Sequence, residues 1–549
     1  VVVAAPVDGV VVMVDSVVVE VSVEVPLSEL QAVSPPASTA PATAAATGRR
    51  RTMSTTVICD SILLVRLPNS ANTALRERPR CVTRFQCGLS TDTCRSSFGA
   101  GEERYVDAVS GVCGASMSGL LAALVMAEAC DAVTVIERDA LPDKVAQRPG
   151  VPQGLHLHML LSSGLRALED LLPGVSAELR SKGAPVLDAR DLSQAYLDIN
   201  GRVLCRHGTV SDPEAIRVIL ASRPLLESVV RERVRSLSNV TILDGHDVIE
   251  PTVRGRTVTG VKVGSRCTVH AFEVPADVVI DASGRSARTP AFLEAHGYGR
   301  PVEQTYRVQL SYASQLFRVP GGMLHEKAAV ISPTLQRPTG AGLLANENGT
   351  VILTLIGIGG QRLPADLPSV LEGAARLLPP HICSVLGAAE PIGELHHRRY
   401  PASVWRRYDK LTSFPVGFLV VGDAVCSFNP VYGQGMTSAA LQARALRKAL
   451  ADNGAPDLSG AYFRKAARQI APIWHANRLN DFAVTPTTGW TMWPQRAFNA
   501  YTTAYMAAAS DDAGLTEAFL RVLQGMDSGL TLASPVRAAR VLAHSVRRR

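Results

Sequence analysis

The chain has 549 residues, 46% of them hydrophobic and 19% charged, with a formal net charge of +7. This is too long for one compact core and suggests two or three domains, while the composition excludes a disordered or fibrous chain. The surplus positive charge lies partly in Arg49–Arg51 and Arg547–Arg549, without a basic stripe interleaved with aromatics, so nucleic acid is not an expected partner.

In chain order, residues 1–104 begin with an alternating valine-rich stretch. Then comes "SPPASTAPATAAATGRRR", too poor in apolar side chains to fold, so this region is expected to be a low-complexity N-terminal extension without fixed structure. The first residue is valine rather than methionine, consistent with an extension read from an unusual start. From Tyr105 the pattern changes. "YVDAVSGVCGASMSGLLAALVMAEACDAVTVIERD" predicts a strand, a glycine turn, an amphipathic helix and a second strand, which is a βαβ unit. "ASRPLLESVVRERVRSL" has a helical period, and "VTILDGHDVIEP", "TVTGVKVG" and "DVVIDASG" read as strands. Residues 305–358 carry further strand signals, His396–Arg399 read as a polar strand start, and 456–546 are mostly helical. No segment is long and apolar enough for a membrane span, because acids such as Asp15, Glu20 and Glu128 interrupt each apolar run. The ten cysteines show neither CxxC pairs nor Cys/His spacing suited to zinc. No metal is therefore expected, and reduced thiols point to the cytoplasm.

Two constellations carry chemistry. In the first, Gly114 permits a tight turn, Ser116 stands where phosphate would approach, and Gly119 lets helix pack closely on sheet. Glu137 ends the next strand, where a carboxylate can take two ribose hydroxyls. In the second, "LVVGDAVCSFNPVYGQGM", an apolar strand delivers Asp423 to the carboxyl edge of a sheet. Pro430, Gly433, Gly435 and Met436 then lead into a helix start that can face a polar ring edge.

Together these motifs resemble the FAD-dependent monooxygenases of the aromatic-hydroxylase type. "RPGVPQGLHLHMLLSSGLRALEDLLPG" (148–174) is similar to a loop of the bacterial polyether and polyene epoxidase-like subgroup. The resemblance, from about 105 onward, implies an α/β fold with a glutathione-reductase-type FAD-binding Rossmann domain, a β-sheet substrate domain and a helical C-terminal region. The implied FAD domain comprises 105–190, 215–295 and 400–450, the substrate domain 191–214 and 296–399, and the helical region 451–549. Asp423 would hold the FAD ribityl chain, the loop Asn429–Met436 would lie along the isoalloxazine, and Arg138, Arg148 and Arg223 would contact FAD. The implied reaction passes one oxygen atom from a flavin hydroperoxide to a hydrophobic organic molecule, by alkene epoxidation or hydroxylation. It consumes O2 and needs no side-chain acid or base, so no catalytic residue is nominated.

Three positions depart from the family pattern. The third motif has Ser283-Gly284 where Asp-Gly is usual, so electrons would come from NAD(P)H either directly or through a separate flavin reductase. Cys426 replaces a common histidine and is read as a packing residue, and Gln442 replaces an aspartate. His156 and His158 could meet the flavin edge or substrate, or simply pack the loop. "WTMWPQRAFNAYTTAYM" could line an apolar tunnel or form core. The competing enzyme class is an FAD-dependent reductase or dehydrogenase of a prenyl or polyketide substrate. A flavin halogenase lacks its tryptophan signature and its lysine here, and nothing selects a non-catalytic flavin-binding module.

Overall fold

Val109–Cys113 form a strand, β1, buried along nearly its whole length, as expected of a strand covered on both faces. The computed structural model describes residues 12–14, 17–19, 108–266, 270–453, 458–484 and 493–547. The chain divides into two units, Val1–Thr91 and Asp92–Arg549. In the first, Val12–Val14 pairs antiparallel with Val17–Val19. The remainder of the N-terminal extension lies outside the described residues, and all that follows concerns the second unit.

After β1 the chain turns through Gly114–Ser116 into α1 (Met117–Ala129) and returns as β2 (Ala132–Ile136). Contrary to the expected amphipathic helix, α1 is buried nearly all round, from Leu120 and Leu121 to Val125 and Met126. The reason is tertiary: the parallel sheet, α2 (Arg223–Arg235) and a later helix enclose it. Ser222 caps α2 by accepting from the Leu225 N–H, and Pro224 sits in its first turn. Next come β3 (Val240–Leu243), β4 (Val278–Asp281), β5 (Glu303–Arg318), β6 (Thr350–Gly357), β7 (Glu390–Arg406) and β8 (Phe418–Val420). The helices α3 (Gly435–Asn453), α4 (Leu458–Val484) and α5 (Trp493–Ala509) follow, then Ala513–Leu523 and Pro535–Arg547.

Among the described residues, β8-β4-β1-β2-β3 make a five-stranded parallel sheet. Register aligns Asp281 with both Cys113 and Val420, so three turns, after β1, β4 and β8, meet at one carboxyl edge. That edge is where ligands of doubly wound folds bind. A second, eight-stranded sheet runs from Cys426–Ser427 through β7, β5, β6, Thr339–Asn346, Ala328–Ile331 and Ala195–Ile199 to Arg202–Val203. His396–Arg399 lie inside β7 rather than at its start, because the strand begins earlier, at Glu390, to pair with the far end of β5. Between Arg307 and Leu310 the register slips, where Gln309 adopts a positive φ of 49°, a bulge in β5. One face of this sheet packs on helices Leu367–Ala375 and Pro380–Ala388; the other is open to the site.

Candidate active site

The turn after β1 is built on glycines with steric reasons. Gly114 has a φ of 112°, and a methyl there would lie 2.8 Å from the Ala282 carbonyl oxygen. A methyl on Gly119 would fall inside the Gly114 carbonyl oxygen and 3.2 Å from the Ala282 Cβ. Helix α1 can therefore approach β1 and β4 only with glycine here. Ser116 occupies the N-cap position of α1, yet its side chain makes no capping bond, and it lines the cavity with Met117 and Ser118. The hydroxyl and the free N–H groups of the first turn thus face one space, a ready anion seat.

Glu137 ends β2 in that space. Its Oε2 accepts from the Ala115 N–H at 2.7 Å and its Oε1 from the Asp139 N–H at 3.0 Å. A carboxylate has further lone pairs, so both oxygens can still accept from hydroxyls. Arg148 is buried behind it. Its Nε donates to Glu227 at 2.6 Å, Nη1 to Asp139 at 3.0 Å, and Nη2 to the Ala115 carbonyl at 2.9 Å, and Nη1 lies 3.3 Å from Glu137. Arg223 gives Nε and Nη2 to Glu227 and keeps Nη1 without a hydrogen-bond partner among the described residues. Arg138 is exposed at the mouth, 4.0 Å from Asp139. The sequence singled out Arg148 and Arg223 but missed Asp139 and Glu227, the carboxylates that hold them. Glu227, one helical turn after Arg223 in "RPLLE", was the available signal.

Asp423 emerges from the turn after β8. Gly422, with a φ of 67°, donates its N–H to Gln442 Oε1 at 2.8 Å. Gln442 also accepts from Tyr462 Oη at 3.2 Å and donates to Ser438 at 2.9 Å, so it anchors the turn from α3. The Asp423 carboxylate opens into the cavity and no described group hydrogen-bonds to it. Enclosure by protein raises its pKa, and the guanidiniums of Arg223, Arg285 and Arg406 oppose that rise. Cys426, buried in Cys426–Ser427 opposite Trp405, has its thiol pushed well up by burial and by Asp423. It is poorly placed for thiolate chemistry.

Beyond it the loop is fastened from the C-terminal region. Asn429 Oδ1 accepts from the Val431 N–H at 3.1 Å. Asn429 Nδ2 and Tyr432 Oη each donate to Asp481 Oδ1 of α4 at 2.8 Å. Pro430 opens a short 3-10 turn, Gly433 closes it with a φ of 65°, and Gly435 and Met436 begin α3 facing the cavity.

The turn after β4 completes the edge. Asp281 accepts from the Ser283 N–H at 2.9 Å and also from the Ser283 and Thr289 hydroxyls. Its oxygens are thus engaged in holding the turn. Arg285 donates to the Ala402 carbonyl at 2.7 Å and lies over the Tyr400 ring at 4.2 Å, with its buried Nη1 unpartnered. Tyr400 Oη meets Ser427 Oγ at 2.9 Å, joining the second sheet to the Asp423 loop.

Ser116, Glu137, Arg223, Asp423, the Asn429–Met436 loop and Arg285 border one cavity of about 2240 Å³, beyond the roughly 300–1,000 Å³ of an ordinary small-molecule pocket. Its other half lies on the open face of the second sheet. His156 meets Ser314 Oγ through Nδ1 at 2.8 Å, and its ring tilts against Tyr312 at 5.7 Å. His158 Nδ1 meets the His156 carbonyl at 2.9 Å. Both histidines line the cavity. Of the aromatic C-terminal stretch, Tyr505 is core, whereas Phe498, Thr502 and Met506 of α5 face the cavity. Among the described residues no His/Cys/Asp/Glu cluster could hold a metal, and no helix is long and apolar enough to cross a membrane.

Burial, more than neighbouring charge, lowers both histidine pKa values from 6.5 to about 4. The unfolded chain therefore binds protons between about pH 6.5 and 4 that the folded one refuses. This contribution to stability is complete above pH 6.5 and lost as pH falls toward 4. Relative to a His156→Gln variant, the wild-type melting temperature is expected to drop over that window. A difference that does not vary with pH would show that the imidazole titrates normally.

The fold is that of the FAD-dependent monooxygenases. The p-nitrophenol 4-monooxygenase PnpA from Pseudomonas putida DLL-E4 superposes with a TM-score of 0.55 at 16% identity, covering 77% of this chain and 98% of PnpA. The flavin-dependent brominase Bmp2 gives 0.54 at 13% identity, covering 80% of this chain and 99% of that one. No family model matches the chain. Protein Rv3254 of Mycobacterium tuberculosis (strain ATCC 25618 / H37Rv) is 38% identical over 447 residues, 79% of this chain and 93% of that protein. The chain belongs to the same family as Protein Rv3254.

Proposed function

We propose that the protein is an FAD-dependent monooxygenase that inserts one atom of O2 into a hydrophobic organic molecule, by alkene epoxidation or hydroxylation. The observation that carries this reading is the continuity of the cavity. The α1 N-terminus, Glu137, Asp423 and the Pro430–Met436 loop open into the same space as the face of the second sheet. A site for an elongated dinucleotide and a site for an organic molecule therefore adjoin.

The residues present fit FAD. Glu137 would accept from the adenosine ribose hydroxyls, and Arg148 holds it in place. The Ser116 hydroxyl, the α1 N–H groups and Arg223 Nη1 would receive the pyrophosphate. Asp423, with no protein donor, would accept from the ribityl hydroxyls. The loop from Pro430 to Met436, clamped by Asp481, and the α3 N-terminus would hold the isoalloxazine. FAD, when bound, supplies the redox chemistry that activates oxygen. The protein's part is orientation and exclusion of water, which the apolar sheet face and α5 provide. Because Ser283 and Thr289 engage Asp281, reducing equivalents come from NAD(P)H either by direct binding elsewhere on the cavity or through a separate flavin reductase.

A reductase or dehydrogenase of a prenyl or polyketide substrate would use the same cradle and differs in needing no oxygen. Halogenation has less support, since no lysine lines the cavity among the described residues. The test is the flavin spectrum of the purified protein, with oxygen uptake and NAD(P)H oxidation followed with and without added flavin reductase. Asp423→Ala is expected to weaken FAD binding about 10- to 100-fold, the worth of hydrogen bonds to a charged group. Unchanged FAD content would refute the site, and turnover without oxygen consumption would favour the reductase.

A further inference from the structure

The face of the second sheet that borders the cavity is polar at one end and apolar across the rest. Register puts Arg398 of β7 opposite Tyr312 of β5, and Tyr312 opposite Ile356 of β6. All three line the cavity. Along β7, Tyr400 stands two residues beyond Arg398 on the same face, about 6.6 Å away by strand geometry. Tyr400 in turn touches Ser427 of the Asp423 loop. Arg398 is thus near the flavin end of the floor.

Nothing described neutralises its guanidinium. Arg398 makes no hydrogen bond or ion pair within the described residues, unlike Arg285, Arg406 and Arg407 nearby, each of which donates to a carbonyl or carboxylate. Its field is felt by His156, which packs against Tyr312 on the same sheet face, and there it helps disfavour the imidazolium. An arginine that faces a ligand-sized cavity with no carboxylate beside it is matched to an anion brought by the ligand.

Away from Arg398 the floor changes character. It continues through Gly342, Leu344, Val330 and Leu197, reaching the strand Ala195–Ile199. Five interstrand spacings of about 4.8 Å make this roughly 24 Å. Met506 and Leu520 of the C-terminal helices face it from across the cavity. The floor is long enough for an extended chain or fused-ring body.

We infer that Arg398 is the specificity-determining anchor for an organic carboxylate whose elongated apolar body lies along this sheet face. The inference rests on the reading of this space as a substrate pocket and specifies the substrate's class: an amphiphilic anion, with its head near Tyr312 and Tyr400 and its tail toward Leu197. The reacting carbons are then those within a few bonds of the head, since Tyr400 borders the Asp423 loop.

The test uses the purified full chain and two fluorescent probes, cis-parinarate, a long polyene carboxylate, and its methyl ester. Wild type is expected to bind the acid about tenfold or more tightly than the ester. Arg398→Met abolishes that preference while leaving ester affinity unchanged, which also shows that the variant is folded. Arg398→Lys keeps part of it. Arg399→Met, on the opposite face of β7 and with the same change in net charge, behaves as wild type. Equal binding of acid and ester by wild type, or an acid preference that survives Arg398→Met, overturns the inference. The flavin absorbance of the same samples reads the cofactor separately. Acid preference without bound FAD would sustain the anchor and sink the monooxygenase reading, and FAD without acid preference would do the reverse.

Discussion

Replacing Arg148 with methionine is expected to destabilise the protein by about 3–5 kcal/mol, the usual consequence of removing one partner from a buried ion cluster. Arg148 is 4% exposed and faces Glu137, Asp139 and Glu227, all at most 6% exposed. Of the remaining cations, Arg223 and Arg231 reach only Glu227 among the three carboxylates, and the exposed Arg138 lies 4.0 Å from Asp139, which leaves Glu137 without a cation. Arg148→Lys should recover only part of the loss. One ammonium cannot span Glu227, Asp139 and the Ala115 carbonyl, which the planar guanidinium contacts together. Urea unfolding of the three proteins measures this. A loss below about 1 kcal/mol in the methionine variant would mean that water or protons already neutralise the cluster. Any fraction that still folds should bind FAD poorly, because the position of Glu137 depends on the same guanidinium.

Gly119→Ala is expected to be comparably severe, at about 3 kcal/mol. Its methyl would meet backbone rather than a mobile side chain: the Gly114 carbonyl oxygen, and the carbonyl carbon at 2.9 Å. Either α1 retreats from the sheet or the turn opens, and both changes would spoil the proposed phosphate seat. Gly435→Ala is the informative contrast. A methyl there meets nothing within 4 Å. Stability of the cofactor-free protein should therefore be unchanged within about 0.5 kcal/mol, with any penalty confined to FAD binding. Thermal melts with and without FAD separate the two cases. Normal stability and normal FAD content in Gly119→Ala would contradict the packing described.

The local parts of this site were legible in the sequence because local chemistry dictates them. A glycine turn between strand and helix, an acid ending the next strand, and an apolar strand delivering Gly422-Asp423 each have one economical structural meaning. What the sequence did not reveal comes from partners far apart in the chain. Arg148 lines the cavity as a cofactor contact would, but its place at the centre of carboxylates contributed by residues 137, 139 and 227 was not foreseen. The all-round burial of α1 depends on α3, more than three hundred residues later. Arg398 stands inside a strand that begins earlier than its polar run suggested. Alternation within "HHRRY" could have put Arg398 and Tyr400 on one face. Pairing with Tyr312 and Ile356 could not have been read, because register between distant strands leaves no local trace.

The clamp of Asp481 on Asn429 and Tyr432 bears on the order of events during synthesis. The chain emerges from its N-terminus, so the turn at Gly114 and its acid at Glu137 exist long before β8 is made. Even then the loop from Asn429 to Tyr432 lacks its acceptor until α4 has followed. The cradle is finished only when nearly the whole chain is free of the ribosome. If the site holds FAD as proposed, cofactor loading is then a late event, and chains truncated ahead of α4 would have the Glu137 end of the site formed and the Asn429–Tyr432 loop loose.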